Sequence, residues 1–330
     1  MIRVGLIGNG KISADHKQAY SQMENVSLEA YCDANPENLK GIEDARTYTD
    51  YREMLEKEQG KLDMVDICLP TFLHEQVSVL AMEMGFHVLC EKPMARTAEE
   101  ARRMAETAER TGKKLMIGHC NRFWDFILEL RRIIQSGELG KVRSAEFSRE
   151  GNAYIGTEGV GKWFFDGSLS GGGMLDTHIH DVDLIRWLFG MPKAVSTGAA
   201  PVYTQKGYDA LSTNYYYDDG LFIRASSDWT IPHDRFNTRQ IRVNFEKGYV
   251  FSDRSAGREA CVKVTEDGTE TDLLHLHTKT FYYNEIAYFI ECIQKDLSVE
   301  QCPPEQSAEA VAIVEAEIRS ADANGTRIEL

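Results

Sequence analysis

Val4-Gly5-Leu6-Ile7-Gly8-Asn9-Gly10-Lys11-Ile12-Ser13 decides the fold. The apolar run Ile2–Ile7 reads as a strand, and it passes directly into G-x-G-x-x-S and a helical pattern over Ile12–Met23. Strand, glycine turn and helix in that order form the first crossover of a dinucleotide-binding unit. Gly8 supplies the tight turn, and Gly10 lets the backbone approach a pyrophosphate at the helix N-terminus. Asn9, Lys11 and Ile12 complete the candidate cofactor turn, and Ser13 is small enough for close helix–strand packing. The second strand, Val26–Cys32, ends at Asp33, ~23 residues after Gly10, close to the spacing of about 20 expected for an acid that binds ribose hydroxyls. Asp33 would repel a 2′-phosphate and no arginine follows it, so NAD is expected rather than NADP.

The same alternation continues to about residue 120. Strands are expected at Met64–Leu69, His87–Cys90 and Lys114–Gly118, and helices at Pro36–Leu39, Tyr51–Glu58, Leu73–Met84 and Ala98–Arg110. Strand–helix alternation calls for a doubly wound parallel sheet, here the Rossmann type, covered on both faces. Strand-like runs return after residue 140: Val142–Arg149, Ala194–Val202, Ser212–Tyr217, Leu221–Ser226, Arg239–Phe245 and Gly248–Phe251. Asp218-Asp219-Gly220 reads as a hairpin turn between two of them. Helical patterns close the chain at Tyr283–Lys295 and Glu305–Ala323. The expected division is therefore 1–120 for the nucleotide and 121–330 for an α+β domain, with the C-terminal helix free to pack back on the first.

Two further stretches carry chemistry. Glu91-Lys92-Pro93 follows a strand end, where ligands of a parallel sheet collect, and Pro93 holds Lys92 extended. Glu91 and Lys92 join Pro70, Thr71 and His74, beyond the preceding strand, as cofactor candidates. Lysine serves as an acid or base when burial or a neighbouring cation lowers its pKa. The second stretch, Gly171-Gly172-Gly173-Met174-Leu175-Asp176-Thr177-His178-Ile179-His180-Asp181-Val182-Asp183, opens a helix that Gly190 and Pro192 stop. On a regular α-helix Asp176, His180 and Asp183 share a different face from Leu175, Ile179, Val182 and Phe189, and Asp176 can touch His180. A carboxylate beside a histidine raises its basicity and orients its ring for proton transfer. The H-x-H of His178 and His180 would suit a metal hydrolase on a strand; on a helix the rings point about 160° apart, so no metal is expected. His178, at the apolar edge, reads as a hydrogen-bonded core histidine.

Bulk properties narrow the classes. A net charge of −15 with no basic stripe argues against nucleic acid as a partner. No apolar run reaches the ~20 residues a membrane span needs. The chain enters a strand at once, as expected without a secretory signal. Seven scattered cysteines without C-x-x-C pairs point to a reducing cytoplasm.

Together, Gly8–Ser13, Glu91-Lys92-Pro93 and the glycine run through Asp176 and His180 resemble the glucose–fructose oxidoreductase / inositol dehydrogenase / rhizopine-catabolism (Gfo/Idh/MocA) family, over essentially the whole chain. The resemblance implies a catalytic triad of Lys92, Asp176 and His180, with Asn121 and Arg122 lining the substrate site. It also implies an open, mostly antiparallel sheet in the second domain, one face toward substrate and the other used for self-association as dimer or tetramer. The expected activity is NAD-dependent oxidation or reduction of a hydroxyl or carbonyl on a polyol or sugar; a catalytically silent NAD-binding regulator of the same fold is the alternative. Trp124, Tyr154, Trp163, His178, Trp229, His233 and Tyr283 join Asn121 and Arg122 as groups able to line a pocket for a hydroxyl-rich ring, with Trp163 kept beside Asp176 and His180 as a substrate contact.

Overall fold

The computed structural model describes residues 1–152, 162–232, 237–255, 258–274 and 279–330. The chain divides into two compact units, Met1–Phe123 with Lys279–Val311, and Trp124–Thr278 with Ala312–Leu330.

The first unit is built on strands β1 (Ile2–Ile7), β2 (Val26–Cys32), β3 (Arg46–Tyr48), β4 (Met64–Ile67), β5 (His87–Glu91) and β6 (Leu115–Gly118), in the spatial order β3-β2-β1-β4-β5-β6. All five pairings are parallel. The order reverses between β1 and β4, and the crevice at that switch point is where ligands of such sheets bind. Helices α1 (Ser13–Tyr20), α2 (Tyr51–Glu58), α3 (His74–Glu83) and α4 (Ala98–Thr111) make the crossovers. The expected strands and helices are all present, although Pro36–Leu39 is a 3-10 turn and α1 stops at Tyr20 rather than Met23. β3 has no apolar alternation to announce it. It is pinned through its side chains: Arg46 forks onto the buried Glu58 carboxylate at 2.6 and 2.9 Å, and the Tyr48 hydroxyl donates to the same group at 2.5 Å.

The second unit begins with α5 (Asp125–Ser136), whose Phe126, Ile127, Leu130 and Ile133 are buried. Its sheet uses β7 (Val142–Glu150), and two short helical segments follow, α6 (Gly167–Ser170) and α7 (Ile179–Phe189). Then come β8 (Ala194–Ala200), β9 (Ala210–Tyr216), β10 (Phe222–Asp228), β11 (Thr238–Phe245), β12 (Gly248–Ser255), β13 (Arg258–Thr265) and β14 (Glu270–Asp272). Helix α8 (Phe281–Gln294) belongs to the first unit, α9 (Pro304–Asp322) gives its start to the first and its end to the second, and β15 (Ile328–Glu329) closes the chain. The sheet order is β14-β13-β12-β11-β7-β10-β9-β8-β15, antiparallel throughout except for the β7–β10 pair. This is the mixed, mostly antiparallel sheet expected. Strands β13 to β15 and helix α5 were not anticipated from the sequence pattern.

The boundary expected at residue 120 falls at Phe123, and Lys279–Val311 joins the first unit rather than the second. The reason is apolar burial. Ile286, Phe289 and Ile290 of α8, with Cys302, complete a core made with Val4, Met64, Leu89, Met116 and Phe123. Among the described residues no helix is long and apolar enough to cross a membrane. Phe289 is fully buried. Phe289→Ala should therefore destabilise the first unit by about 3–5 kcal/mol, read as a lower urea midpoint at unchanged slope.

Candidate functional site

Gly8 ends β1 at a point no other residue could occupy. Its φ is +95°, and a Cβ there would stand 2.4 Å from the carbonyl oxygen of Cys68 at the end of β4. Its N–H donates to Cys32 O at 2.8 Å, tying the turn to β2. Gly10, in contrast, has nothing within 4 Å of a Cβ and is exposed, so its bare backbone faces open space at the start of α1. Ser13 is fully buried and its hydroxyl donates to Gly10 O at 2.7 Å, closing the turn. Asp33 reaches back to the same turn: Oδ2 accepts the Asn9 N–H at 2.8 Å and Oδ1 accepts the Asn35 N–H at 2.8 Å. Lys17 holds the Asn9 side chain at 2.6 Å. Lys11 is exposed and Ile12 half-buried. A glycine turn without Cβ, a helix N-terminus and a carboxylate at the second strand end fit a dinucleotide with free ribose hydroxyls.

The ends of β4 and β5 carry the next group of candidates. Pro70 and Thr71 begin a short 3-10 turn, and His74 opens α3. The His74 ring is buried between Leu69 O and Pro93 O, each 2.7 Å from a ring nitrogen, so it braces the two strand-end loops against each other. Lys92, half-buried, precedes Pro93 through a cis peptide bond, and its N–H donates to Glu91 Oε2 at 3.0 Å. Burial alone would raise the Glu91 carboxyl. The hydrogen bond and charge of His16, followed by the Lys92 charge, instead hold it below its ordinary value.

Sequence reasoning missed the network beneath these loops. His16 of α1 sits between Asp66 of β4, at 2.8 Å, and Glu91 of β5, at 2.9 Å, and the Tyr20 hydroxyl donates to Asp66 at 2.9 Å. The available clue was Asp66 itself, a charge inside Met64-Val65-Asp66-Ile67, since a carboxylate in a buried strand requires partners. Among the described residues His16, Asp66 and Cys68 form the one group whose donor atoms gather within 4.8 Å. Ligand atoms of one tetrahedral zinc stand about 3.3 Å apart; the 2.8 Å between His16 Nδ1 and Asp66 Oδ2 is a hydrogen bond.

In the second unit, Gly171 and Gly172 have φ of +83° and +68°, and a Cβ on Gly171 would meet Leu175 Cβ at 2.4 Å. They lead into a turn of π-helix, Met174–His178, before α7 begins. The expected shared face of Asp176 and His180 assumed an unbroken α-helix. Asp176 lies in the π turn and His180 four residues on, in the first turn of α7. Asp176 accepts a hydrogen bond from the Thr177 hydroxyl at 3.3 Å, and His180 is half-buried in the first turn of α7. Leu175, Ile179 and Val182 are buried as expected, and Phe189 meets Phe147 edge-on at 6.4 Å. His178 is a core residue: fully buried, with Nε2 3.2 Å from the Tyr215 hydroxyl and 3.4 Å from Glu317. Asp181 is buried and forks onto Arg149 of β7 at 2.9 and 3.0 Å, anchoring α7 to the sheet; Asp183 is also buried.

The remaining substrate candidates separate by environment. Arg122 is fully buried in the first unit, bonded to Gln301 O at 3.0 Å and Gln306 Oε1 at 2.9 Å. Those bonds make it a strut between the turn Cys120–Phe123 and the start of α9, whereas a group on an open pocket wall was expected. Asn121 in the same turn is half-buried. Trp229 is buried with its ring N–H on Asp209 at 2.6 Å, and it packs on Phe164. Trp163 lies in the turn Lys162–Phe165, edge-on to Phe164 at 5.8 Å. The Trp124 ring carries Arg254 at 5.3 Å, and the Tyr283 ring carries Lys279 at 4.7 Å. Tyr154 and His233 lie outside the described residues.

Comparison with known proteins agrees with this geometry. Residues 2–119 match the model of the oxidoreductase family with an NAD-binding Rossmann fold, and residues 127–251 match the GFO/IDH/MocA C-terminal domain. The chain belongs to the GFO/IDH/MocA family of oxidoreductases. It is 29% identical to inositol 2-dehydrogenase of Rhizobium meliloti (strain 1021), over 97% of this chain and 96% of that one. It is 31% identical to D-glucoside 3-dehydrogenase of Escherichia coli (strain K12), over 67% of this chain and 65% of that protein, just under two thirds of its length. The fold matches the WlbA dehydrogenase of Bordetella pertussis, solved with NADH and UDP-GlcNAcA, with a TM-score of 0.86 at 23% identity, over 100% of this chain and 97% of that one.

Gly8 and Gly10 make a paired test. Gly8→Ala should lower the melting temperature through strain against Cys68. Gly10→Ala should leave it unchanged and weaken NADH binding, read by NADH fluorescence, because only a bound pyrophosphate would meet the added methyl.

Proposed function

We propose that this chain is an NAD-dependent dehydrogenase acting on a secondary hydroxyl or carbonyl of a polyol or sugar. The observation that carries the reading is the juxtaposition, in one unit, of the glycine turn, Asp33 and a lysine at the end of β5, in a chain of this family. The aromatic residues of the second unit and its relationship to inositol 2-dehydrogenase support a hydroxyl-rich substrate.

When bound, NAD supplies the hydride acceptor or donor. Gly8, Gly10 and the N-terminus of α1 take the pyrophosphate, and Asp33 takes the ribose hydroxyls. In oxidation, His180 removes the proton of the reacting hydroxyl, with Asp176 raising its basicity. Lys92 donates a hydrogen bond to the same oxygen and stabilises its developing negative charge. In reduction His180 returns the proton.

We further propose self-association through the second unit's sheet and residence in a reducing cytoplasm. Exposed Phe222 and Tyr249 on that sheet support the first reading, and seven free, buried thiols support the second. Light scattering on the purified chain and cell fractionation test them; a monomer, or an oxidising compartment, would remove the respective reading.

The activity test is NAD reduction followed by absorbance against a panel of inositols, aldoses and amino sugars. Turnover on one of them should fall about 10²–10⁴-fold in His180→Ala, with NADH affinity held within about threefold. An unchanged rate would remove His180 from the mechanism. Silence across the panel with intact NADH binding would favour a regulator.

A further inference from the structure

His16 has no place in cofactor or substrate binding, yet its position is costly. The ring has no exposed surface and is flanked by two carboxylates, Asp66 Oδ2 at 2.8 Å and Glu91 Oε1 at 2.9 Å. Carboxylates only accept, so the ring satisfies both by carrying hydrogen on each nitrogen, as an imidazolium. The groups facing it come from four sides. Asp66 projects from β4 and Cys68 lies just past it; Glu91 projects from β5; Tyr20 stands on the same helix; and the Tyr282 ring of α8 lies 5.7 Å away. Burial pushes the Cys68 thiol up to about 12, and the Tyr20 hydroxyl is pushed up as well, so both are neutral. The charges left are two carboxylates and the imidazolium, with Lys92 beyond Glu91. Burial would push the His16 ring down, but Asp66 reverses this and holds it well above its ordinary value.

A core strut would need only one of these carboxylates. Asp66 already has the Tyr20 hydroxyl and, at 3.7 Å, the Cys68 thiol. The contact to Glu91 is the one that leads somewhere, because the other Glu91 oxygen holds the Lys92 N–H at 3.0 Å. Glu91 also feels the Lys92 charge. Left unneutralised, that carboxylate would fix Lys92 as a firmly held ammonium, the opposite of what a group shifting a proton or a hydrogen bond during turnover requires.

We propose that His16 is a positioning residue for Lys92: its imidazolium fixes Glu91, and so the Lys92 backbone, and neutralises that carboxylate. The proposal rests on the reading of Lys92 as acting at the reacting oxygen. It also links the helix of the pyrophosphate turn to the lysine, since His16 stands on α1.

The experiment is competitive acetylation of the full chain with trace acetic anhydride across pH, with the Lys92 peptide quantified by mass spectrometry. His16→Gln should raise the half-labelling pH of Lys92 by about 1 unit or more. Glu91→Gln, which leaves the imidazolium facing Lys92, should lower it. The double variant should return close to the parent. A His16→Gln that loses thermal stability while Lys92 labels as before would show a structural strut only and overturn the proposal. Should that variant not fold, an unmoved Lys92 midpoint in Glu91→Gln overturns it equally. Labelling needs no substrate, so a parent without turnover would remove the proposed function and leave this result standing. Where turnover is found, His16→Gln should lower kcat more than it raises KM, and displace the pH profile in the direction of the Lys92 shift.

Discussion

Asp66 is a carboxylate in the middle of a central strand, with no access to water, and the nucleotide-binding unit is arranged around satisfying it. An unpaired charge in that position would cost several kcal/mol. Its partners come from the helix after the glycine turn: His16 supplies a charge and Tyr20 a hydroxyl. Because α1 must stay in register with β4 to make these bonds, the turn between β1 and α1 is fixed from below. The bare backbone at Gly8 and Gly10 is then presented at the sheet's switch point. His16 carries the constraint onward to Glu91, and Glu91 to Lys92. One buried charge thereby links the glycine turn to the lysine two strands away.

The second unit follows the same logic with different residues. Asp209 gathers the backbone N–H groups of Val202, Tyr203 and Thr204, the Thr204 hydroxyl and the Trp229 ring. Gly173 packs beside Trp229 and donates to Tyr208 O at 3.0 Å, so the glycine run has room only for hydrogen at its Cα. The π turn that follows carries Asp176, and α7 is tied down by Arg149–Asp181 on one side and His178–Tyr215–Glu317 on another. His180 is therefore held by a helix anchored through largely buried polar partners as well as the buried Ile179 and Val182. Rigid support of this kind fixes the side chain proposed for proton transfer.

Local regularities made much of this legible. Strand-forming runs, the spacing from Gly10 to Asp33 and the stops at Gly190 and Pro192 are short-range features, and the structure follows them. Of the elements missed, β3 is held by side-chain partners from elsewhere: Arg46 and Tyr48 find Glu58 on α2. The π turn at Met174–His178, between the glycine run and α7, was not foreseen. It follows Gly172 and Gly173, which pack against Thr204, Tyr208 and Trp229, some 30 to 60 positions later. Arg122 shows the same limit, since its partners Gln301 and Gln306 are nearly two hundred residues away.

By itself the sequence determined the parallel nucleotide-binding fold, the glycine turn after its first strand and the family to which the chain belongs. These follow from periodicity, from the missing Cβ and from residue types at fixed spacing, all properties of contiguous chain. Only the tertiary structure decided that α8 completes the first unit's core, that Arg122 is an interior strut, and that His16 stands between Asp66 and Glu91. Each of those depends on which distant groups share a buried volume. There, the energy of an ion or an apolar surface is set by its neighbours in space and not by its neighbours in sequence.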